Sequence, residues 1–305
     1  VRNKKQTSKA VPSRYEFEAA SAHYPAEFDR RAYFERTARN QFWVNGEIGQ
    51  ERIRKLKIAV AGLGGMGGQI ADSLARVGVG HLRIADPDHV ELTNINRQLV
   101  ATQETIGQSK TEVAEQQLRR VSKDFELVAY RQGVCEEMIE EFVEGCDAIV
   151  DEIDVFALDK KVLLHRAARK RGIPLYSAYI IGLGTHFYKF HGEQYTLEHF
   201  LNEGPEVWKK PSADYLLERF GQPFTRYIDA ETKRRYSEQI ATRGTPIFGP
   251  AALLGQSLVT TRLIVDLLHT QGVKMFTQPV PKTPVMPEFL VLDPVDLTFR
   301  KSTAD

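Results

Sequence analysis

Between residues 57 and 178, short apolar runs alternate with amphipathic stretches. Lys57–Ala61 (KIAVA) is rich in β-branched residues and ends at glycines. Gly67–Val77 then places Ile70, Leu74 and Val77 at helical spacing. His81–Ala85, Glu126–Tyr130, Ala148–Asp151 and residues 175–178 repeat the strand signal. Residues 108–121, 136–144 and 157–171 repeat the helical one, the last stopped by Gly172 and Pro174. Strands alternating with helices of this length predict βαβ units with right-handed crossovers. The expected fold is α/β, a Rossmann-like, doubly wound and mostly parallel sheet.

Beyond residue 180 the pattern changes. Residues 185–190 alternate like a strand, Ala213–Phe220 and residues 230–241 are helical, and 251–270 is a long amphipathic helix. Residues 288–292 and 297–300 predict a hairpin around Asp293-Pro294. The expected organisation is a basic, flexible tail (1–34), a nucleotide-binding region (35–192), a crossover or substrate region (193–245), and a helix with antiparallel strands completing the same domain (246–305).

Composition narrows the function. The chain has 305 residues, 42% hydrophobic and 27% charged, with a net charge of +1. Nothing global draws it to nucleic acid or to a membrane surface. No apolar run approaches the roughly 20 residues that span a bilayer. Two cysteines, Cys135 and Cys146, make neither a disulfide framework nor a four-cysteine zinc site, and burial is expected for both. Without an export signal, a cytoplasmic location is the expectation.

The chemistry starts at Gly62, Gly64, Gly65 and Gly67, a Gly-x-Gly-x-x-Gly arrangement between a strand and a helix. There the first glycine permits a tight turn, the second lets phosphate approach the backbone, and the third lets helix and strand pack closely. Asp86, ending the second strand, suits a ribose hydroxyl pair and disfavours a 2′-phosphate. NAD, FAD and ATP all fit so far. Asn94, Asn96, Arg97 and Gln98 follow, then Lys110. A dinucleotide bridge held by the glycine loop has no obvious need of Arg97 and Lys110. A triphosphate does, because an Arg fork and a Lys point charge neutralise its outer phosphates.

In order, Gly62–Gly67, Asp86/Asp88/Val90, Asn94/Asn96/Arg97/Gln98 and Gly107/Gln108/Lys110 resemble the ThiF/MoeB/HesA family, prokaryotic relatives of ubiquitin-activating enzymes. The resemblance implies ATP as substrate, with Asp86 on the ribose and Asn94, Arg97 and Lys110 on the phosphates. It implies that Asp154 binds Mg2+ and orients the α-phosphate; Asp151 is a neighbouring candidate, expected instead to end its strand. It also implies a homodimer, in which Arg39, with Arg36 as its rival, reaches the partner protomer's ATP. The zinc-binding CxxC pairs of many relatives are missing, and residues 180–245 contain no cysteine for a thioester. No zinc and no sulfur relay are therefore expected.

The resulting expectation is adenylylation of a carboxylate, most favourably on a ribosomal peptide, as on the microcin C and pantocin pathways. About 34 residues precede the matched region, too few for a separate leader-binding domain. The alternatives are a ubiquitin-like sulfur carrier as substrate, a tRNA-modifying dehydratase, an NAD-dependent oxidoreductase, and a silent scaffold. His165 is expected to be structural, and His186, His191 and His199 are weak candidates for a base. Tyr176, Tyr179 and Tyr188 are expected to pack the sheet, and Trp208-Lys209-Lys210 to form an exposed patch.

Overall fold

The computed structural model describes residues 21–23, 28–221 and 229–304. The chain opens with β1 (Ser21–His23), α1 (Arg30–Arg36), α2 (Ala38–Gln41) and α3 (Gly46–Lys55). The alternating region follows as β2 (Lys57–Ala61), α4 (Gly67–Val77), β3 (His81–Ala85), α5 (Lys110–Val121) and β4 (Glu126–Tyr130). It continues through α6 (Ile139–Val143), β5 (Ala148–Asp151), α7 (Leu158–Lys170) and β6 (Leu175–Ile181). After β7 (Gly184–Phe190) come α8 (Leu197–Leu201), α9 (Pro205–Lys209), α10 (Ala213–Phe220) and α11 (Ala230–Arg243). The chain closes with α12 (Gly249–Thr270), β8 (Glu288–Asp293) and β9 (Thr298–Thr303).

The described strands form one sheet in the order β1-β4-β3-β2-β5-β6-β7-β8-β9. The strands from β4 to β6 in that order are parallel. Numbered among themselves they lie 3-2-1-4-5, the doubly wound order, with the switch point between β2 and β5. The antiparallel strands β7, β8 and β9 extend one edge, as expected.

Strand periodicity splits the core into two layers. On β2, Ile58 and Val60 join the apolar cluster shared with α4, α5 and α12, whereas Ala59 and Ala61 join the cluster shared with α6 and α7. Local signals end the helices where they should. Gly78, at φ 101°, is the left-handed C-cap of α4. The Ser109 hydroxyl accepts the Glu112 N–H at the start of α5.

Three expectations need correction. The tail is shorter than 1–34: residues 1–20 and 24–27 lie outside the described residues, but β1 pairs antiparallel with β4 and α1 to α3 precede the sheet. The Tyr33 hydroxyl fastens these helices by donating to Gly78 O (2.7 Å). The helix expected at 136–144 is confined to α6. Finally, α12 is a 22-residue helix apolar enough, by length and composition, to cross a bilayer. Of its most apolar stretch 56% is buried, and it packs on β6, β7 and α4, which makes it a core helix.

Candidate functional site

The glycine turn sits at the switch point. Gly62 has φ 88° and donates its N–H to Ala85 O (2.7 Å). A Cβ there would lie 2.2 Å from Glu152 O, and one on Gly67 would lie 1.9 Å from Gly62 O. Both positions exclude a side chain because backbone meets backbone. Asp86 secures the turn: Oδ2 accepts the Leu63 N–H (2.6 Å) and Oδ1 the Asp88 N–H (2.8 Å). Its carboxyl is pushed above the ordinary range by burial, against the pull of Lys110.

Gly62, Gly64 and Gly65 line a cavity of about 450 Å³, joined by Asp86 and Asp88. Arg97, Gln98, Lys110 and Asp154 line it too. Lys110 Nζ is 2.8 Å from Asp88 Oδ2. Arg97 donates to Thr93 O and Asn96 Oδ1. Burial works to lower the Arg97 pKa, while Asp154 and then Glu91 support the charge. Asp154 Oδ1 accepts the Phe156 N–H (2.9 Å). Several polar atoms of this wall are buried without a hydrogen-bond partner: Arg97 Nε, Gln98 Oε1, and both amide atoms of Gln132. Buried polar groups are paired as a rule, so an unpaired set lining one cavity is what a polar ligand would complete.

Four expected site residues stand elsewhere. Gly67 packs the start of α4 against the turn. Asn94 Oδ1 accepts the Glu91 N–H (3.0 Å), capping a short helical turn. Asn96 donates to Ile247 O and thereby ties the arginine loop to the segment before α12. These asparagines shape the loop from which Arg97 projects. Arg39 is exposed on α2 and makes no ion pair among the described residues. Its rival Arg36 is committed elsewhere, forking onto Asp124 (2.6 and 2.7 Å) and onto carbonyls at the end of α4.

The other wall of the cavity comes from the end of β6 and from α10 and α11. Tyr179, Ile181, Leu216, Phe220, Tyr236 and Ile240 are its principal groups, and Tyr179 packs on Phe220 at 4.7 Å between centroids. This wall carries no charged side chain among the described residues. The region expected to be a crossover or substrate region thus lines one side of the site. Gln132 and Glu152 were missed. The signal available was their position just beyond the C-terminal ends of β4 and β5, where ligands of such sheets collect.

Among the described residues no histidine lines the cavity. His199 caps α8, and His186 is buried beside Tyr188 with its pKa pushed down to about 4 by burial. Tyr176 and Tyr188 pack the sheet as expected, whereas Tyr179 also reaches the cavity. Trp208 corrects the expected exposed patch: it is 7% exposed and lies under Arg166. Cys146 is buried, which raises its thiol to about 11; Cys135 is half-buried and also raised, first by burial.

Below the cavity lies a charged cluster. Asp151 is fully buried, with Lys161 Nζ and His165 Nε2 each 2.9 Å from one of its oxygens. Burial raises the Asp151 pKa, but Lys161 and His165 outweigh it and hold the group at about 2. Asp151 therefore does more than end β5: it anchors α7 beneath the switch point. His165 is structural.

Sheet order and glycine turn define a doubly wound nucleotide-binding α/β protein. Residues 35–304 match the ThiF family, and the chain belongs to it. It is 35% identical over 142 residues to the tRNA threonylcarbamoyladenosine dehydratase of Bacillus subtilis, covering 46% of this chain and 55% of that protein. It is 33% identical over 136 residues to the sulfur carrier protein ThiS adenylyltransferase of Escherichia coli, covering 45% and 53%. The chain thus spans about half the length of these curated relatives. Among solved structures it resembles PaaA (TM-score 0.65, 18% identity, 93% of this chain and 88% of that one). It also resembles E. coli MccB crystallised with ATP (TM-score 0.61, 15% identity, 92% and 73%). At these identities the likeness is one of fold.

Proposed function

We propose that this protein adenylylates a carboxylate on a polypeptide, using ATP and releasing pyrophosphate. One observation carries this: a single cavity joins a phosphate-type wall, with Arg97, Lys110 and Asp154, to an uncharged apolar wall from β6, α10 and α11. The first suits a triphosphate, and the second suits the carbon skeleton beside a carboxylate. MccB, whose fold the chain shares, has been crystallised with ATP and with MccA, which supports a peptide-sized substrate.

The carboxylate oxygen attacks the α-phosphorus, the bond from that phosphorus to the bridging oxygen breaks, and pyrophosphate leaves with the electron pair. Arg97 and Lys110 neutralise charge on the outer phosphates, and the N-terminus of α4 faces the phosphate chain. With no histidine or cysteine among the described residues that line the cavity, the protein's work is positioning and charge neutralisation. Asp154 fits a magnesium site, because that ion is commonly held by one or two carboxylates together with substrate phosphates. When bound it would draw charge from the phosphates. The acyl-adenylate then passes to a nucleophile.

A homodimer completes the proposed site, with Arg39 reaching the partner's ATP. In support, Arg39 is exposed and is followed by Phe42 and Trp43, which are 82% and 62% exposed, an apolar surface of the kind interfaces cover.

The test is pyrophosphate release from ATP with a panel of peptides, small sulfur-carrier proteins and modified tRNA. Release with peptides is expected. Release only with a carrier or only with tRNA would move the substrate to that class. Tight ATP binding with no release from any carboxylate would falsify adenylylation.

A further inference from the structure

Gln132 stands just beyond the C-terminal end of β4. In the parallel pair β3–β4, Ala85 lies opposite Tyr130, so the turn carrying Asp86 runs beside the segment carrying Gln132. The two segments touch: a Cβ on Gly133 would lie 2.7 Å from Pro87 Cδ. Gln132 lines the cavity, and both polar atoms of its amide, Oε1 and Nε2, are buried without a partner. Among the described residues no other side chain leaves a buried donor and a buried acceptor unpaired together. No pairing among the described residues explains this amide, and a buried unpaired amide carries the full desolvation penalty of both groups.

The position says what would complete it. With phosphates at the glycine turn and a ribose at Asp86, the base lies beyond Asp86, toward the end of β4. Val134, Ile153 and Val155 also line the cavity and belong with the apolar layer on that side of the sheet. Apolar walls suit the faces of a flat heterocycle, and a primary amide suits its edge. Adenine presents a 6-amino donor beside a ring-nitrogen acceptor, a pair that a glutamine amide meets with two hydrogen bonds.

We infer that Gln132 reads the edge of the nucleotide's purine, with Oε1 accepting from the 6-amino group and Nε2 donating to the neighbouring ring nitrogen. This rests on the proposal that the cavity binds ATP. It adds that the base is selected by a side chain at the end of β4, apart from the phosphate-binding residues.

The experiment is calorimetric binding, which needs no acyl substrate. ATP, GTP and purine riboside triphosphate (which lacks the 6-amino group) are titrated into the wild type, Gln132→Ala and Gln132→Glu. The wild type should bind ATP about 10- to 100-fold more tightly than the purine analogue, the range for one bidentate base contact. Gln132→Ala should close that gap, because ATP loses two hydrogen bonds and the analogue, which keeps only the ring nitrogen, loses one. Gln132→Glu, an acceptor-only side chain, should move the preference toward GTP, whose N1–H and 2-amino group are adjacent donors. A wild type that binds ATP and the analogue equally would overturn the inference while leaving the ATP site standing. So would a folded Gln132→Ala that keeps the gap. Failure of the wild type to bind ATP at all would instead remove the proposed function. If Gln132→Ala does not fold, as judged by its melting curve, the wild-type comparison decides by itself.

Discussion

The two walls of the cavity are built on opposite chemistry. One carries Asp86, Arg97 and Asp154, from strand ends or loops, and Lys110, from the start of α5. The other, from β6, α10 and α11, is apolar and carries no charged side chain among the described residues. Phosphate recognition demands particular groups at particular places. An apolar wall demands only shape and exclusion of water, which many sequences supply. Substitutions should therefore separate the walls, those on the first acting on ATP and on turnover, those on the second acting on the acyl substrate alone.

The largest effect is expected beneath both walls. Asp151→Asn leaves Lys161 buried opposite a neutral group and should cost about 3–5 kcal/mol of unfolding free energy, read from denaturant melts. The same pair gives a pH signature. The folded Asp151 pKa, about 2, lies below its ordinary 3.8, so its stabilising contribution is present above 3.8 and is lost as pH falls toward 2. Asp151→Asn should lack that part of the acid limb; an unchanged limb would show that the pair does not form.

Next in size, Arg97→Ala should lower pyrophosphate release about 100- to 1000-fold, the usual loss for one charge-stabilising donor, with the melting temperature kept. A loss below tenfold would put the phosphate contact elsewhere. Leu217→Ala, at the less buried side of α10, should raise the KM of the acyl substrate by about 10-fold or more while leaving ATP binding unchanged. A matching loss of ATP affinity would mean that the two walls do not act separately. The smallest signal comes from mixing Arg39→Ala with Asp154→Asn, each inactive alone. If Arg39 works across a dimer, the mixture should recover about a quarter of wild-type activity, since half the dimers are mixed and each of those holds one intact site. No recovery would place Arg39 outside the partner's site.

The same contrast explains what was legible in the chain. The parallel strands could be read because buried β-branched runs alternate with amphipathic helices, and Gly62 and Gly67 because backbone approach forbids a side chain. That Arg97, Lys110 and Asp154 share one cavity could be read because an ordered run of motifs carries them. Asn94 and Asn96 stand outside its lining, since an amide in a loop serves a turn as readily as a ligand. Gln132 went unseen because a single glutamine after a strand has no pattern around it; its significance comes from the loss of both hydrogen-bond partners on folding. The closure of the cavity by α10 and α11 is tertiary, and an amphipathic helix does not announce which surface its apolar face will meet. The N-terminal edge strand β1 was hidden because three residues set no period.

The central claim is that ATP is cut at its α-phosphate for a carboxylate held against the apolar wall. The direct measurement is 31P analysis of the products after ATP, Mg2+ and a peptide that supports turnover are mixed with the enzyme. The account predicts AMP-containing product and pyrophosphate in equal amounts, both abolished by Arg97→Ala. Formation of ADP and inorganic phosphate would contradict it.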